Sequence, residues 1–341
     1  IPFSINLKVV YMSFFLQYAI FLAKLGTAVL AILIAIAGIF AIARKAREQT
    51  KHKLCVKKLN KRYQELANTL NAEILNKKER KKHSKELKIK LKKNEKLLKK
   101  RIFVLNFQGD IKATAVNSLR EEITALIQVA TPQDEVVLRL ESGGGMIAPY
   151  GLAASQLQRL KDKRIPLTVA IDKIAASGGY LMACVGDKIL AAPFAIIGSI
   201  GVVAQLPNFH RFLKKRDIDF ELLTAGEYKR TLTLFGENTS KARKKTQNDL
   251  EEVHHLFKSF IQSNRKQVDI KQVATGAHWL AKDALPLNLL DELITSDDYL
   301  SHLAASNKAE IYELQYITKK SISEKLSAQI QLALTNLSWF K

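Results

Sequence analysis

One serine and one lysine in this chain stand in settings that suit a hydrolase. Ser177 lies among small residues in AASGGY (175–180), directly after an apolar run typical of a strand. Lys229 lies in AGEYKR (225–230), after another such run. A serine hydroxyl at a strand-to-helix turn is open to a substrate, and a lysine held uncharged by burial can accept its proton. The pair indicates Ser-Lys hydrolysis, although each residue alone also fits a turn serine or a surface lysine.

Glycine-rich turns offer the second requirement of such a hydrolase, which is a set of backbone N–H groups facing the developing oxyanion. The run SGGG (142–145) follows a predicted strand and precedes a predicted helix, so its amides and the helix dipole favour an anion. Gly178, directly after Ser177, offers a further N–H. Each turn alone also fits an ordinary structural turn, but together they are what an oxyanion hole needs.

Apolar runs alternate with amphipathic segments from residue 102 onward. Helical spacing places Leu119, Ile123 and Leu126 on one face of a helix that Asn117 is expected to cap. Strands that alternate with helices predict an α/β fold with mainly parallel pairing. The predicted strands are residues 102–107, 136–140, 167–171, 188–192 and 219–224.

An uncharged stretch of 19 residues, 25–43, is long enough to cross a bilayer as a helix. It is too long, and its N-terminal flank too poor in positive charge, for a cleaved signal peptide. Met12 opens the run that leads into it, so we expect translation to begin there and residues 1–11 to be upstream or non-native sequence. A second uncharged stretch, 189–206, contains Pro and Gly and is interpreted as buried sheet and turn.

The net charge of +22 is concentrated in one segment. Residues 44–101 carry 23 Lys and Arg against six Glu, and Tyr63 is their only aromatic residue. Binding of single-stranded nucleic acid relies on several stacking aromatics, so we expect no nucleic-acid partner. The segment is interpreted as a helical or disordered linker, with contact to anionic lipid headgroups as the alternative. Its charge also places the C-terminal bulk in the cytoplasm by the positive-inside rule.

Metal and cofactor chemistry find no support in the sequence. Cys55 and Cys184 show no spacing typical of a disulfide framework or a zinc site. The seven histidines form no metal motif, and no phosphate-binding or dinucleotide loop occurs. We therefore expect no cofactor and no metal.

A series of motifs resembles the SohB-type branch of the signal peptide peptidase A serine protease family, in the same order along the chain. They include VNSLREEITA, VVLRLESGGG, IPLTVAIDKIAASGGYLMAC, APFAIIGSIGVVAQLPNF and TAGEYKRTLTLFGENT. The resemblance implies a ClpP/crotonase-like layered fold and serine endopeptidase activity on peptide or protein substrates. It implies Ser177 as nucleophile, Lys229 as general base and Ser199 as the hydroxyl that orients the lysine. Gly144 and Gly178 are then the oxyanion-hole residues.

The same resemblance implies a ring-like homo-oligomer, held in the lipid bilayer of a bacterial inner membrane by a single N-terminal transmembrane helix. Relatives act on the outer side of that membrane, so the side of the catalytic domain stays open against the charge rule. Expected substrates are signal-peptide remnants or membrane-associated polypeptides. We divide the chain into an anchor region (1–43), a Lys-rich linker (44–101), a protease domain (102–300) and a C-terminal extension (301–341).

One departure from the family pattern concerns the first glycine turn. Gly143 stands where the family usually has proline, and loss of a fixed φ loosens the loop and predicts lower activity. This leaves a catalytically weak or inactive membrane scaffold of the same fold as an alternative. A crotonase-like acyl-CoA enzyme is a third hypothesis, against which the anchor and the Ser-Lys pairing argue.

Overall fold

The structure, a computed structural model, describes residues 20–27, 29–31, 33–34, 53–82, 85, 100–305 and 309–317. Contacts divide the chain into two compact units, one formed by residues 54–317 and the other by residues 1–53 and 318–341. The first unit contains every residue of the predicted site.

Strands and helices alternate along this unit, as the apolar runs predict. The strands are β1 (Lys53–Lys58), β2 (Lys100–Gly109), β3 (Glu135–Ser142), β4 (Leu167–Ile171), β5 (Ile174–Ala176), β6 (Lys188–Ala191), β7 (Ile196–Gly198), β8 (His278–Leu280), β9 (Glu292–Leu293) and β10 (Ala309–Ile317). The helices are α1 (Leu59–Ile74), α2 (Val116–Leu126), α3 (Ile147–Asp162), α4 (Gly178–Ala183), α5 (His210–Lys214), α6 (Ser240–Asn264), α7 (Ile270–Val273), α8 (Ala281–Ala284) and α9 (Ser296–Ala305).

The strands form one sheet in the order β1-β10-β2-β3-β4-β6-β9, and β5, β7 and β8 branch from β3. Pairing is parallel from β10 through β2, β3, β4 and β6 to β9. Strand β5 pairs in parallel with β3 and with β7, whereas β8 runs antiparallel to β7. The prediction of an α/β fold with a largely parallel sheet is confirmed.

Alternate residues of the central strands face two apolar cores. On one side, Leu105 of β2 and Leu138 of β3 are buried in the same cluster as Ile123 of α2. On the other side, the register partners Val104 and Val137 are buried in the cluster that α9 covers. Burial on both faces explains why these strands are continuous apolar runs. Because helices cover the two faces of the sheet, the site forms at the carboxyl ends of the strands.

The sheet includes strands from segments that precede and follow the predicted protease domain in the sequence. Strand β1 comes from the predicted linker and lies beside β10, which comes from the predicted C-terminal extension and pairs with β2. Asn60, at the start of α1, holds this edge: its Nδ2 donates to Ala309 O (3.1 Å) and its Oδ1 accepts from Ile311 N (2.7 Å). Parts of both segments therefore belong to the folded body.

The predicted membrane anchor lies largely outside the described residues. Positions 20–27, 29–31 and 33–34 are helical. Among the residues that the structure describes, no helix combines the length and the apolar character needed to cross a membrane. Residues 1–11, linker residues 86–99 and the end of the chain after residue 317 also fall outside the description.

The segment of residues 201–239 differs most from its prediction. The uncharged stretch 189–206 is mostly buried sheet and turn, as expected, as far as Ile200, although Phe194 within it is 82 % exposed. Beyond Ile200, Val203 and Leu206 are exposed. The strand predicted at 219–224 is wrong, because these residues adopt no strand and Leu223 is 92 % exposed. An alternating pattern forms a strand only where a neighbouring strand and a core can receive it. Within this segment the structure has only α5 as regular secondary structure.

One buried carboxyl is expected to make folding depend on pH. Glu122 on α2 is 4 % exposed, and its Oε1 accepts a hydrogen bond from Tyr316 N (2.7 Å). Burial raises the pKa of Glu122 from 4.5 to about 7, and the hydrogen bond opposes this effect only in part. The unfolded chain releases this proton at lower pH than the folded chain does. The contribution of Glu122 to stability is therefore full below pH 4.5 and is lost as the pH rises through 7.

Glu122→Gln should remove this loss. As the pH rises from 5 to 8, we expect the free energy of unfolding of the variant to increase by roughly 2–3 kcal/mol relative to that of the wild-type protein. Glu121→Gln changes the exposed neighbouring carboxyl and should show no such gain. Urea unfolding at the two pH values measures both variants. Equal pH dependence of the wild-type and Glu122→Gln proteins would contradict the assignment.

Candidate active site

Ser177 and Ser199 lie side by side at the carboxyl ends of two paired strands. Each follows its strand directly, and the register of β5 and β7 pairs Ala176 with Gly198. Ser177 N donates to Gly198 O (2.8 Å), and Ser199 N donates to Ala277 O (2.7 Å). Both serines have φ 52°, in the left-handed region that residues other than glycine rarely adopt. Strain at two adjacent serines is typical of a functional site.

The Ser177 hydroxyl is available for reaction. The residue precedes the first turn of α4, whose Leu181 N donates to the Ser177 carbonyl (3.0 Å). Its side chain does not cap that helix, and the residue is half-buried. Within the described part of the chain, no hydrogen bond holds the Ser177 Oγ. The hydroxyl is therefore positioned by its backbone alone and is not committed to a structural partner.

Gly144 brings the first glycine turn against Ser177. It has φ 90°, and a Cβ built on it would lie 2.7 Å from the Ser177 Cβ and 2.8 Å from the Gly178 N. Only glycine permits this approach. The Gly144 N–H donates to Ser142 Oγ (3.0 Å), whereas the N–H groups of Gly145 and Gly178 donate to no acceptor among the described residues. Gly145 belongs to the SGGG run whose amides are expected to face an anion, although the family resemblance names only Gly144 and Gly178.

Lys229 is not joined to these residues. It lies in the 201–239 segment, it is exposed, and its backbone N–H donates to Gly226 O (3.1 Å). In the part of the chain that the structure describes, no hydrogen bond links its amine to Ser177 or Ser199. The structure thus brings together four of the five predicted site residues, whereas the lysine makes no hydrogen bond to them within the described chain.

Contacts around Lys229 connect it to the start of α6. On its N-terminal side, Glu227 forms an ion pair with Lys241 (2.6 Å). The neighbouring Tyr228 ring lies 5.5 Å from the Lys245 Nζ, within the range of a cation–π contact. These exposed contacts are weak individually, because the charged groups stay in water.

A cysteine nucleophile is excluded near the site. Cys184 follows α4 and is fully buried. Burial raises the pKa of the Cys184 thiol to about 12, so the reactive thiolate is not formed at neutral pH. Ser177 and Ser199 are both half-buried, so both side chains have the exposure that a nucleophile requires.

Comparison with known proteins gives the family. Residues 13–157 match the description "Peptidase family S49 N-terminal", and residues 159–310 match "Peptidase family S49". This chain belongs to peptidase family S49. The S49 chain is 46 % identical to "Probable protease SohB" of Haemophilus influenzae, over 94 % of each protein. It is 56 % identical to "Probable protease SohB" of Buchnera aphidicola subsp. Acyrthosiphon pisum, over 68 % of each.

Membership in family S49 makes the chain a protease and confirms the resemblance to the SohB-type branch. A solved structure of a mutant "1510-N membrane-bound stomatin-specific protease" aligns with a TM-score of 0.39 and 16 % sequence identity. That alignment covers 61 % of the S49 chain and 86 % of the other chain. A likeness of this size carries no inference about the site.

The turn that contains Gly143 can accept the proline that this S49 chain lacks. Gly143 has φ outside the left-handed region, and the nearest atom to a Cβ built on it is Ile174 Cδ1 at 3.7 Å. Its N–H donates no hydrogen bond within the described chain, and the preceding Ser142 is in a strand, as a residue before proline prefers. The Cβ of a proline at this position therefore meets only an ordinary contact, and the lost N–H removes no hydrogen bond of the described chain.

Gly143→Pro is expected to raise kcat about twofold to fivefold and to stabilise the fold by about 0.4–1 kcal/mol, because it restricts the turn before binding. Gly143→Ala is the matched control, since it adds a Cβ without fixing φ, and it should leave kcat within about twofold of the wild-type value. Steady-state peptide hydrolysis and thermal unfolding measure both. A fall in kcat for the proline variant alone would show that the turn needs its freedom.

Proposed function

We propose that this protein is a membrane-anchored serine endopeptidase that uses Ser177 as nucleophile and Lys229 as general base. The observation that carries the proposal is the Ser177 turn, where a strained serine with a free hydroxyl meets Gly144 at close range. The finer fold assignment, a ClpP/crotonase-like layered fold, belongs to the same proposal. Its support is the branch of β5 and β7 from β3, which carries both serines at one edge.

In this mechanism, the Ser177 Oγ attacks the carbonyl carbon of the scissile peptide bond and passes its proton to the uncharged Lys229 amine. Backbone N–H groups of the two glycine turns, including that of Gly178, stabilise the oxyanion that forms. The Lys229 ammonium then donates the proton to the leaving nitrogen, and the acyl group stays on Ser177. Water, activated by the same amine, releases the acyl group and restores the hydroxyl. Ser199 is proposed to orient the amine.

The mechanism requires Lys229 in a setting that the isolated chain does not provide. A lysine that serves as general base is held uncharged by burial, whereas Lys229 is exposed. We propose that a second copy of the chain completes the site, in a homo-oligomer that covers the 201–239 segment. The apolar side chains of this segment support the homo-oligomer. Those that are exposed are Phe212, Phe220, Tyr228, Val203 and Leu223. Patches of this kind mark interaction surfaces.

Membrane anchoring and substrate are proposals of the same kind. The uncharged stretch 25–43 and the basic residues after it support a single-pass anchor in a bacterial inner membrane, with the body in the cytoplasm by the charge rule. An enzyme held there meets signal-peptide remnants and membrane-associated polypeptides. Exposed Ile111, Met146 and Ile147 around the first glycine turn suit such apolar peptides.

The exposed position of Lys229 also favours a second function, a catalytically weak or inactive scaffold of the same fold. Two measurements on the full chain separate the two functions. The first is hydrolysis of an apolar peptide, and the second is labelling by a serine-directed phosphonate with mass mapping of the adduct. Each is made on the wild-type protein and on Ser177→Ala. A scaffold gives neither hydrolysis nor an adduct on Ser177.

A further inference from the structure

A buried tyrosine connects the two glycine turns of the site. Tyr150, on α3, is 0 % exposed, and its OH lies 2.8 Å from Asp110 O and 2.5 Å from Ser142 Oγ. The Ser142 Oγ in turn lies 3.0 Å from Gly144 N. Four groups thus form one hydrogen-bonded chain, from the glycine turn to the loop after β2.

Chemistry decides which group donates and which accepts in each of these hydrogen bonds. The Asp110 carbonyl can only accept, so the Tyr150 hydroxyl donates its single proton to it. The Ser142 hydroxyl must then donate to the Tyr150 oxygen, although either atom alone is able to donate. The Ser142 oxygen keeps its lone pairs for the Gly144 N–H. Burial raises the pKa of Tyr150, so the phenol keeps its proton at neutral pH.

The ring of the same tyrosine touches the second turn. A Cβ built on Gly178 would lie 2.5 Å from the Tyr150 Cγ, so this glycine rests directly on the ring. Gly109 likewise leaves room for the two hydroxyls, because a Cβ there would overlap both of them. Tyr150 therefore meets one turn through its hydroxyl and the other through its ring.

We infer that Tyr150 and Ser142 are positioning residues, which hold the two glycine turns at the spacing that oxyanion stabilisation needs. The inference rests on the proposed function for its catalytic consequence. It also explains how a turn without the family's proline keeps its shape, since the Gly144 N–H is fixed from behind by Ser142. Both side chains are buried, so they act through the turns and not on the substrate.

Tyr150→Phe removes only the hydroxyl and leaves the ring under Gly178. We expect kcat for peptide hydrolysis to fall about tenfold or more, with KM within about twofold, because misplaced donors weaken transition-state stabilisation more than binding. Phosphonate labelling of Ser177 should slow by a similar factor. Ser142→Ala should lower kcat in the same way. The kcat of the double variant should be no lower than that of the slower single variant, because both substitutions break the same series of hydrogen bonds.

Tyr180→Phe is the matched control. Tyr180 is also fully buried, and its OH also donates to a backbone carbonyl, that of Leu289 (3.0 Å). It should lower the unfolding temperature as much as Tyr150→Phe does, with kcat within about twofold of the wild-type value. Equal effects of the two variants on kcat would overturn the inference and leave Tyr150 as a core residue.

Hydrogen–deuterium exchange separates this inference from the proposed function. In Tyr150→Phe, the amides of residues 143–146 and 178–179 should exchange at least about fivefold faster than in the wild type. Tyr180→Phe should leave them unchanged. Unchanged exchange at these amides in Tyr150→Phe overturns the positioning role, whether or not the protein hydrolyses peptides. Faster exchange in Tyr150→Phe, when the wild-type protein neither cleaves nor labels, would reject the proposed peptidase while supporting the positioning role.

Discussion

Ser177→Ala is expected to reduce kcat for peptide hydrolysis by about 10⁴- to 10⁶-fold and to abolish phosphonate labelling. The reason is that covalent catalysis has no substitute here: the acyl group needs an oxygen at the end of β5, and Ser199 is one strand further along the sheet. The substitution should relieve little backbone strain, since alanine is no better than serine at φ 52°. Its unfolding temperature should stay close to that of the wild type.

The matched control for this variant is Ser155→Ala. Ser155 lies on α3, and its Oγ donates only to Gly151 O in the preceding helical turn (2.9 Å). This variant should retain full activity and full labelling at Ser177. If Ser177→Ala retains most of the activity, Ser177 is not the nucleophile. A phosphonate adduct on another serine would then identify the residue that is.

Local patterns made much of the fold predictable. The apolar spacing on α2 placed Leu119, Ile123 and Leu126 on the face that is buried in the structure. The helix begins at Val116 rather than after Asn117, because Asp110 shapes the preceding turn through bonds to Thr114 N and Oγ1 (both 2.8 Å). The N-cap residue is Ala115, which makes no side-chain capping hydrogen bond, so the capping role predicted for Asn117 is wrong and sequence spacing alone misplaces the boundary.

Long-range pairing was not predictable from the sequence. The neighbours β1 and β10 come from opposite ends of the folded body, and the Lys58–Glu310 ion pair (2.7 Å) bridges them. A strand of sequence KLCVKK reads as linker because its charge outweighs its apolar content. Its place in the sheet depends on pairing with the edge of β10, and no local sequence pattern indicates this pairing. Residues 219–224 show the converse, since their alternating pattern finds no edge among the described strands.

The site was predictable in its residues and not in its geometry. The motifs named Ser177 and Ser199, but their proximity follows from the register of β5 and β7, which single-chain spacing does not give. Tyr150 was passed over because an aromatic residue on the apolar face of a helix usually fills a core. Its hydroxyl becomes informative only once Ser142 and the Asp110 carbonyl are seen around it.

Lys229→Ala is expected to lower kcat by about 10²- to 10⁴-fold, the usual contribution of a general base. The fold should be unaffected, because the side chain is exposed and holds no hydrogen bond among the described residues. Phosphonate labelling of Ser177 should slow by a comparable factor, since the hydroxyl loses its proton acceptor. Lys163→Ala, which removes another exposed lysine at the end of α3, should change neither rate.

Mixed oligomers decide whether the lysine comes from a second copy. If each site takes Ser177 from one subunit and Lys229 from its neighbour, then Ser177→Ala and Lys229→Ala chains complement each other. In a ring assembled from equal amounts of both, about one site in four has both native residues, so roughly a quarter of wild-type activity should return after joint refolding. A mixture of Ser177→Ala with Lys163→Ala chains should instead show about half of wild-type activity, because every lysine is native and only the serines are diluted. If the first mixture stays inactive while both single variants are folded and assembled, the lysine must act on the serine of its own chain, and the 201–239 segment would have to close over the site to bring it there.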